Sequence, residues 1–163
     1  MAAELQERGR IVLAVAVAAM TIHIAYGRGR PEWDGQPTPP AGSGQTGLED
    51  EIARRLVTEK HYVVRDQAGT IEAPGGDRYS ISPVPTRMLL IRTTFGYGEA
   101  VDEPIREMAV FMGTQVAASV PPGQYYVTPD KITNPGEVYT LERRSVVVRP
   151  ANKRDLEEII LPF

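Results

Sequence analysis

Cysteine is absent from this chain of 163 residues, and histidine occurs only twice. The first absence removes disulfide staples, thiolate nucleophiles and cysteine-ligated zinc or iron–sulfur sites, and the second leaves few imidazole bases or ligands. A basic excess is missing too, because 18 Lys and Arg stand against 21 Asp and Glu. With no surplus to neutralise a phosphate backbone, nucleic acid is not expected as a partner. The motif-borne chemistries are also lacking: no HExxH, no GxxxxGK[ST], no GxGxxG between a strand and a helix, and no GxSxG. His23 and His61 have no carboxylates at metal-ligand spacing and read as structural histidines. The expectation is a chain that is not an enzyme and holds no cofactor and no metal. A hydrolase built on carboxylates such as Asp102, Glu103 and Glu107 stays open only because sequence spacing does not report spatial separation.

What is present is enough for a core. Hydrophobic residues make 42% of the chain, and a domain near this length buries roughly 70% of its unfolded surface. Fifteen Gly and 14 Pro point to many turns and few long helices. The run Ile11 to Tyr26 follows Arg8 and Arg10, as in a secretory signal. It is too short to span a bilayer and contains His23, so no membrane span is expected. Its alanine-rich first half, within Ala2 to Met20, suits a short helix. Thr21 to Tyr26 is β-branched, alternates, and stops at Gly27-Arg28-Gly29-Arg30-Pro31, which predicts a strand and then a turn. A helix and strand inside the fold is preferred to a cleaved signal or an anchor.

The remainder divides into residues 28–47, an extended Pro/Gly-rich loop carrying the only tryptophan, Trp33, and residues 48–163, a β-rich domain. Residues 1–27 form an N-terminal arm in this division. A loop of that length is usually functional, partner-bound or mobile. Thr46 to Leu56 offers a capping threonine, acidic residues, a basic end, and Leu48, Ile52 and Leu56 at fourfold spacing, which predicts a short helix. From residue 60 the period is two. His61 to Arg65, Thr70 to Ala73, Tyr79 to Ser82, Met88 to Phe95, Ile105 to Met112, Tyr125 to Thr128, Glu137 to Leu141, Ser145 to Val148 and Leu156 to Leu161 read as strands. The fold class is therefore mainly β: a β-sandwich or open barrel of short antiparallel strands, with one or two short helices near the N-terminus.

Within Asp102-Glu103-Pro104-Ile105-Arg106-Glu107, adjacent Arg106 and Glu107 point to opposite faces of a strand. They are either edge charges that deter pairing or a desolvated pair, made across a subunit boundary or with the Arg-rich loop. Arg143 and Arg144 read as solvated charges. Phe163 ends the sequence on an apolar group of the kind usually tucked into a sheet or a partner.

The order TIHIAYGRGRPEWD, a Pro-rich loop, TGLEDEIARR, and FGYGEAVDEPIREMAVFMGT resembles tail and baseplate proteins of tailed bacteriophages. Thr46, Leu48, Glu51, Ile52, Arg54 and Arg55 carry a "TxLxxEIxRR"-like helix start. Ile105, Arg106, Glu107, Val110 and Phe111 carry an "IRE"-type strand. Ala53 and Met108-Ala109 depart from the glycines usual at those places. The resemblance implies a virion structural protein, located in the tail or baseplate and in host cytoplasm during assembly. It would be an adaptor between the baseplate and fibres, a homo-oligomer in a symmetric ring whose partners are other tail proteins. Trp33, Arg54, Arg55, Arg106, Glu107 and Phe163 are its interface candidates. The rival is a secreted β-sandwich carbohydrate-binding module stacking sugars on Trp33, Tyr97, Tyr125 and Tyr126.

Overall fold

A computed structural model describes residues 3–35 and 38–163; Gln36 and Pro37 of the expected loop, and Ala2 of the expected helix, lie outside them. Strands take 45% of the chain and helix 11%, so the fold is mainly β. Helix α1 is Glu7–Ala18, and the strands are β1 Ile22–Gly27, β2 Glu51–Leu56, β3 Glu59–Arg65, β4 Ile71–Glu72, β5 Arg78–Ile81 and β6 Met88–Phe95. They continue with β7 Pro104–Met112, β8 Gln115–Val116, β9 Tyr126–Val127, β10 Ile132–Asn134, β11 Glu137–Val148 and β12 Asp155–Pro162. Single 3-10 turns occur at Pro31–Trp33 and Pro129–Lys131. Among the described residues no helix is long and apolar enough to cross a membrane.

The chain forms two compact units interleaved along the sequence. The first comprises Met1–Met20, Thr58–Thr93 and Glu157–Phe163; the second comprises Thr21–Val57 and Thr94–Leu156. In the first, β3 pairs antiparallel with β5 and β6 within a sheet ordered β12-β6-β3-β5-β4. Val63, Ile71, Tyr79 and Leu90 form its core, with Ala73, Met88 and Ile160 against them.

The second unit is built on a sheet ordered β11-β7-β1-β2-β9. Strand β1, expected in an N-terminal arm, is its central strand, and all six of its residues are buried. His23 and Ala25 share one face with Phe111 and Ala109, which Leu48, Val138 and Leu141 cover. Tyr26, on the opposite face, stacks on Phe95 at 4.0 Å between ring centroids.

Three expectations are corrected. The helix predicted over Thr46 to Leu56 is loop to Asp50 and then β2, antiparallel to β1 with Ala25 opposite Arg54. Fourfold apolar spacing suits a helix, but a strand pairing on both edges gains cross-strand contacts that outweigh local preference. The second correction is that Glu137 to Val148 is one strand rather than two. Its register breaks between Arg143 and Val147, so the charged stretch is a bulge inside the sheet instead of a turn. Third, β7 lies between β11 and β1, so Arg106 and Glu107 are not edge charges.

Candidate functional site

The loop leaving β1 is fastened to the sheet by arginine–carboxylate pairs. Gly27 admits it: a Cβ there would lie 3.1 Å from both Glu107 Oε2 and Leu48 Cβ. Arg28 donates from Nε and Nη2 to Glu103 at 2.6 and 2.8 Å, and from Nη1 to Asp50 at 2.9 Å. Arg106 grips both oxygens of Asp34 at 2.8 and 2.6 Å and donates to the Arg28 carbonyl at 2.9 Å. These two-pronged contacts use the planar fork that lysine lacks. Hydrogen bonds from Arg106 and Arg28 hold the Asp34 and Glu103 carboxyls below the ordinary carboxylate range.

Glu107 lies at the centre, fully buried. It accepts from the Glu49 amide at 2.8 Å and from Arg143 Nε at 3.2 Å. The Arg143 guanidinium lies 4.4 Å from the Trp33 ring centroid, and Gly29, at φ +58°, makes room for that ring. Trp33 is thus a half-buried lid clamped by Arg143, and Arg143, expected to be solvated, is 9% exposed. Within the chain, Arg106 pairs with Asp34 and the Arg28 carbonyl of the Arg-rich loop, whereas Glu107 pairs with Arg143 of β11 and accepts from the Glu49 amide.

The other candidates are engaged in the same way. Arg54 is 3% exposed, holds Glu51 at 2.7 Å and Thr114 at 2.8 Å, bonds the Pro135 carbonyl, and stacks 3.4 Å from the Phe111 ring centroid. Arg55 pairs with Glu99. Phe163 is half-buried, its amide donating to the Arg87 carbonyl at 2.9 Å. Sequence reasoning missed Arg149, which is 1% exposed, binds Asp155 at 2.5 Å, and gives its remaining donors to the carbonyls of Phe95, Gly96, Glu99 and Lys153. A signal for these pins was available: the chain has 15 Arg and only 3 Lys, and Arg is the cation suited to buried pairing.

Of the acidic residues considered for hydrolysis, Glu103 and Glu107 are taken by Arg28 and Arg143. Among the described residues no group of His, Asp and Glu could hold a metal ion. His23 is buried, its Nδ1 has no hydrogen-bond partner among the described residues, and burial, with Arg54 nearby, lowers its pKa to about 4. What the second unit presents outward includes apolar strand surface: Tyr139, Val146, Val147 and Val148 on the edge strand β11, then Leu156.

Within the second unit, Arg28, Arg106, Arg143 and Arg149 are paired with carboxylates of the chain itself, and the edge strand β11 exposes apolar residues. Over residues 1–163 the chain matches the family described as baseplate wedge 3 tail fiber network component, and it belongs to that family. The family implies a place in the virion tail or baseplate. Among curated proteins, none matches the chain.

Proposed function

We propose that this chain is a structural adaptor that joins the baseplate wedge to the tail-fibre network through subunit–subunit contacts and carries no active site. Family membership over the whole length carries this reading. The side chains support it, since the charged residues best suited to chemistry hold the chain's own loops. Tail organelles are symmetric, and a repeating subunit that closes a ring needs two different adhesive surfaces. The exposed valines at the end of β11 and the outward side of α1 are the two candidates. Partners are other baseplate and fibre proteins and further copies of this chain, without nucleic acid; assembly takes place in host cytoplasm.

Glycan binding has less support, because Arg143 covers one Trp33 face and Gly29 packs against the ring. The deciding experiment is negative-stain imaging of particles carrying a tagged copy, with glycan binding measured on the purified chain. Label at the baseplate or fibre attachment is expected. A chain absent from particles that binds a glycan overturns the reading.

A further inference from the structure

Two demands of the loop after β1 meet at adjacent positions. Gly35 has φ +75°, a left-handed conformation that favours glycine. Asp34 supplies the two oxygens that the Arg106 fork takes at 2.8 and 2.6 Å. Together they make the chain's only Asp-Gly step, and no Asn-Gly occurs. Such a step is intrinsically reactive, because a following residue without Cβ leaves its amide nitrogen free to reach the aspartyl Cγ and close a five-membered imide. Nothing bulky hinders that nitrogen: Gly35 is exposed, and a Cβ built on it would meet no atom of the described residues within 4 Å beyond its chain neighbours. Three features of the docked loop oppose closure. The reaction needs a neutral carboxyl, since an ionised one is a poor electrophile, and hydrogen bonds from Arg106 favour the ionised form of Asp34. It needs a carboxyl free to turn toward Gly35, and both oxygens are taken by a guanidinium that is itself 8% exposed. It also needs ψ of the opposite sign at Asp34, where ψ is 133°. The turn is pinned there, with the Trp33 amide donating to the Arg30 carbonyl at 3.1 Å and the Asp34 amide to the Pro31 carbonyl at 3.0 Å.

We propose that Asp34-Gly35 is a latent isoaspartate site, that Arg106 guards it while the loop is docked, and that isomerisation makes release of the loop irreversible. In the first step the Gly35 nitrogen bonds to the Asp34 Cγ, and its proton leaves with the carboxyl hydroxyl as water. Water then opens the imide at the former main-chain carbonyl, breaking that carbon's bond to the Gly35 nitrogen. Asp34 is 40% exposed, so this water is at hand. The mass returns to its starting value, but the main chain now runs through the side-chain carbons and is one methylene longer. The free carboxylate sits directly on Cα, one carbon short of the reach that the Arg106 fork requires. A released loop that has isomerised therefore cannot restore the contact that held it. The family places the chain in the virion tail or baseplate, and a subunit of a released particle is not replaced by synthesis, so the lesion would accumulate with the particle's age. The inference stands on the loop geometry alone and is independent of what the chain joins.

The test ages the full chain at neutral pH over weeks and measures isoaspartate by enzymatic methyl transfer to its carboxylate. Loss of endoproteinase Asp-N cleavage before residue 34 identifies the position. Wild type in guanidinium chloride gives the unguarded rate, and folded wild type is expected at least tenfold below it. Arg106→Met, which removes the fork, is expected at least tenfold above folded wild type. Gly29→Ala, which displaces Trp33 and leaves Arg106 in place, should move in the same direction, and it decides the matter if Arg106→Met does not fold. Asp34→Glu keeps the charge but would have to close a six-membered ring, and should give no signal at this position. Isoaspartate-bearing wild type, separated from the unmodified chain, should be cut by trypsin after Arg28 faster than its unmodified counterpart. Folded wild type ageing as fast as the unfolded chain, or both loop variants ageing as slowly as folded wild type, overturns the guard. Equal trypsin rates for the modified and unmodified chains overturn the irreversible release.

Discussion

Arg149 gives the sharpest test of how the second unit is held together. Its guanidinium is 1% exposed and meets one carboxylate, Asp155 at 2.5 Å, together with four backbone carbonyls. Those carbonyls belong to Phe95, Gly96, Glu99 and Lys153, so one side chain ties the turn after β6 to the segment entering β12. Arg149→Met keeps much of the apolar stem and deletes every donor. Asp155 then loses its closest cation and the carbonyls lose a partner that water cannot replace in place. Removing one member of a buried pair costs about 3–5 kcal/mol. On a chain of this size each kcal/mol moves Tm by about 2–4 °C, so a fall of about 10 °C is expected. Trp33 lies in the same unit as Arg149, and as the only tryptophan its fluorescence follows that unit's unfolding. Arg149→Lys should recover little, because a single ammonium cannot reach acceptors spread around a planar fork. In a double-mutant cycle, Asp155→Asn in the Arg149→Met background should cost clearly less than it does alone. A fall below about 3 °C for Arg149→Met, or full additivity in the cycle, would refute the reasoning.

His23 makes the second unit acid-sensitive. Its folded pKa of about 4 lies below the ordinary 6.5, so the unfolded chain takes the proton first and stability falls as pH drops from about 6.5 toward 4. At 1.36 kcal/mol per unit the loss is about 3 kcal/mol. Arg54 of β2, itself held by Glu51, is the charge facing it, while Leu56 and Phe111 lie opposite on the neighbouring strands. Urea unfolding at pH 7 and pH 4.5 should show the loss in wild type and a flatter profile in His23→Gln. Gly29→Ala puts a Cβ 2.5 Å from Trp33 Cζ3 at φ +58°, and should release the loop; limited trypsin digestion after Arg28 at least tenfold faster than wild type is the readout, and equal rates would show the loop needs no glycine there. Trp33→Ala removes a half-buried ring and its cation–π contact, for an expected loss of about 1–2 kcal/mol; unchanged stability in thermal melts would mean the lid adds nothing to the fold.

The strands were legible where burial made them so. Met88 to Phe95 agrees with β6 to the residue, and Ile105 to Met112 with all but the first residue of β7. The apolar runs Met88 to Ile91 and Met108 to Met112 inside them leave little ambiguity. Reading failed where polar residues are interior. Arg54 and Arg55 looked like the solvated end of a helix, yet Arg54 rests its guanidinium on Phe111 and spends its donors on Glu51, Thr114 and Pro135. A local pattern cannot show that a carboxylate three residues away and a threonine 60 residues away converge on one guanidinium. Strands β8 and β10, two and three residues long, carry too little sequence to show a period. Of the interface candidates, Arg106 and Glu107 leave two readings open in the sequence, edge charges or desolvated pairing across a subunit boundary or with the Arg-rich loop. Their partners Asp34 and Arg143 are not legible, because Asp34 comes from a loop with no periodicity of its own and Arg143 from a distant strand whose register is interrupted beside it.

The same distribution of charge predicts how an assembly built from this chain responds to salt. Attraction between exposed charges fades within about 8 Å at physiological ionic strength, so a contact made by surface ion pairs weakens as salt rises. Here Arg28, Arg54, Arg55, Arg106, Arg143 and Arg149 are each committed to a carboxylate of their own chain. The exposed apolar residues include Val146 to Val148 on β11 and Leu5, Val12 and Leu13 at or beside α1, the surfaces proposed above for subunit contacts. Burial of apolar area is insensitive to screening and is strengthened by excluded salts such as sulfate. Self-association measured by sedimentation in 0.05 M and 0.5 M salt, concentrations chosen to span strong and weak screening, should therefore change by less than about threefold, and ammonium sulfate should strengthen it. A tenfold loss across that range would place charged groups at the contact and shift attention to Arg8, Arg10 and the carboxylates of the first turn.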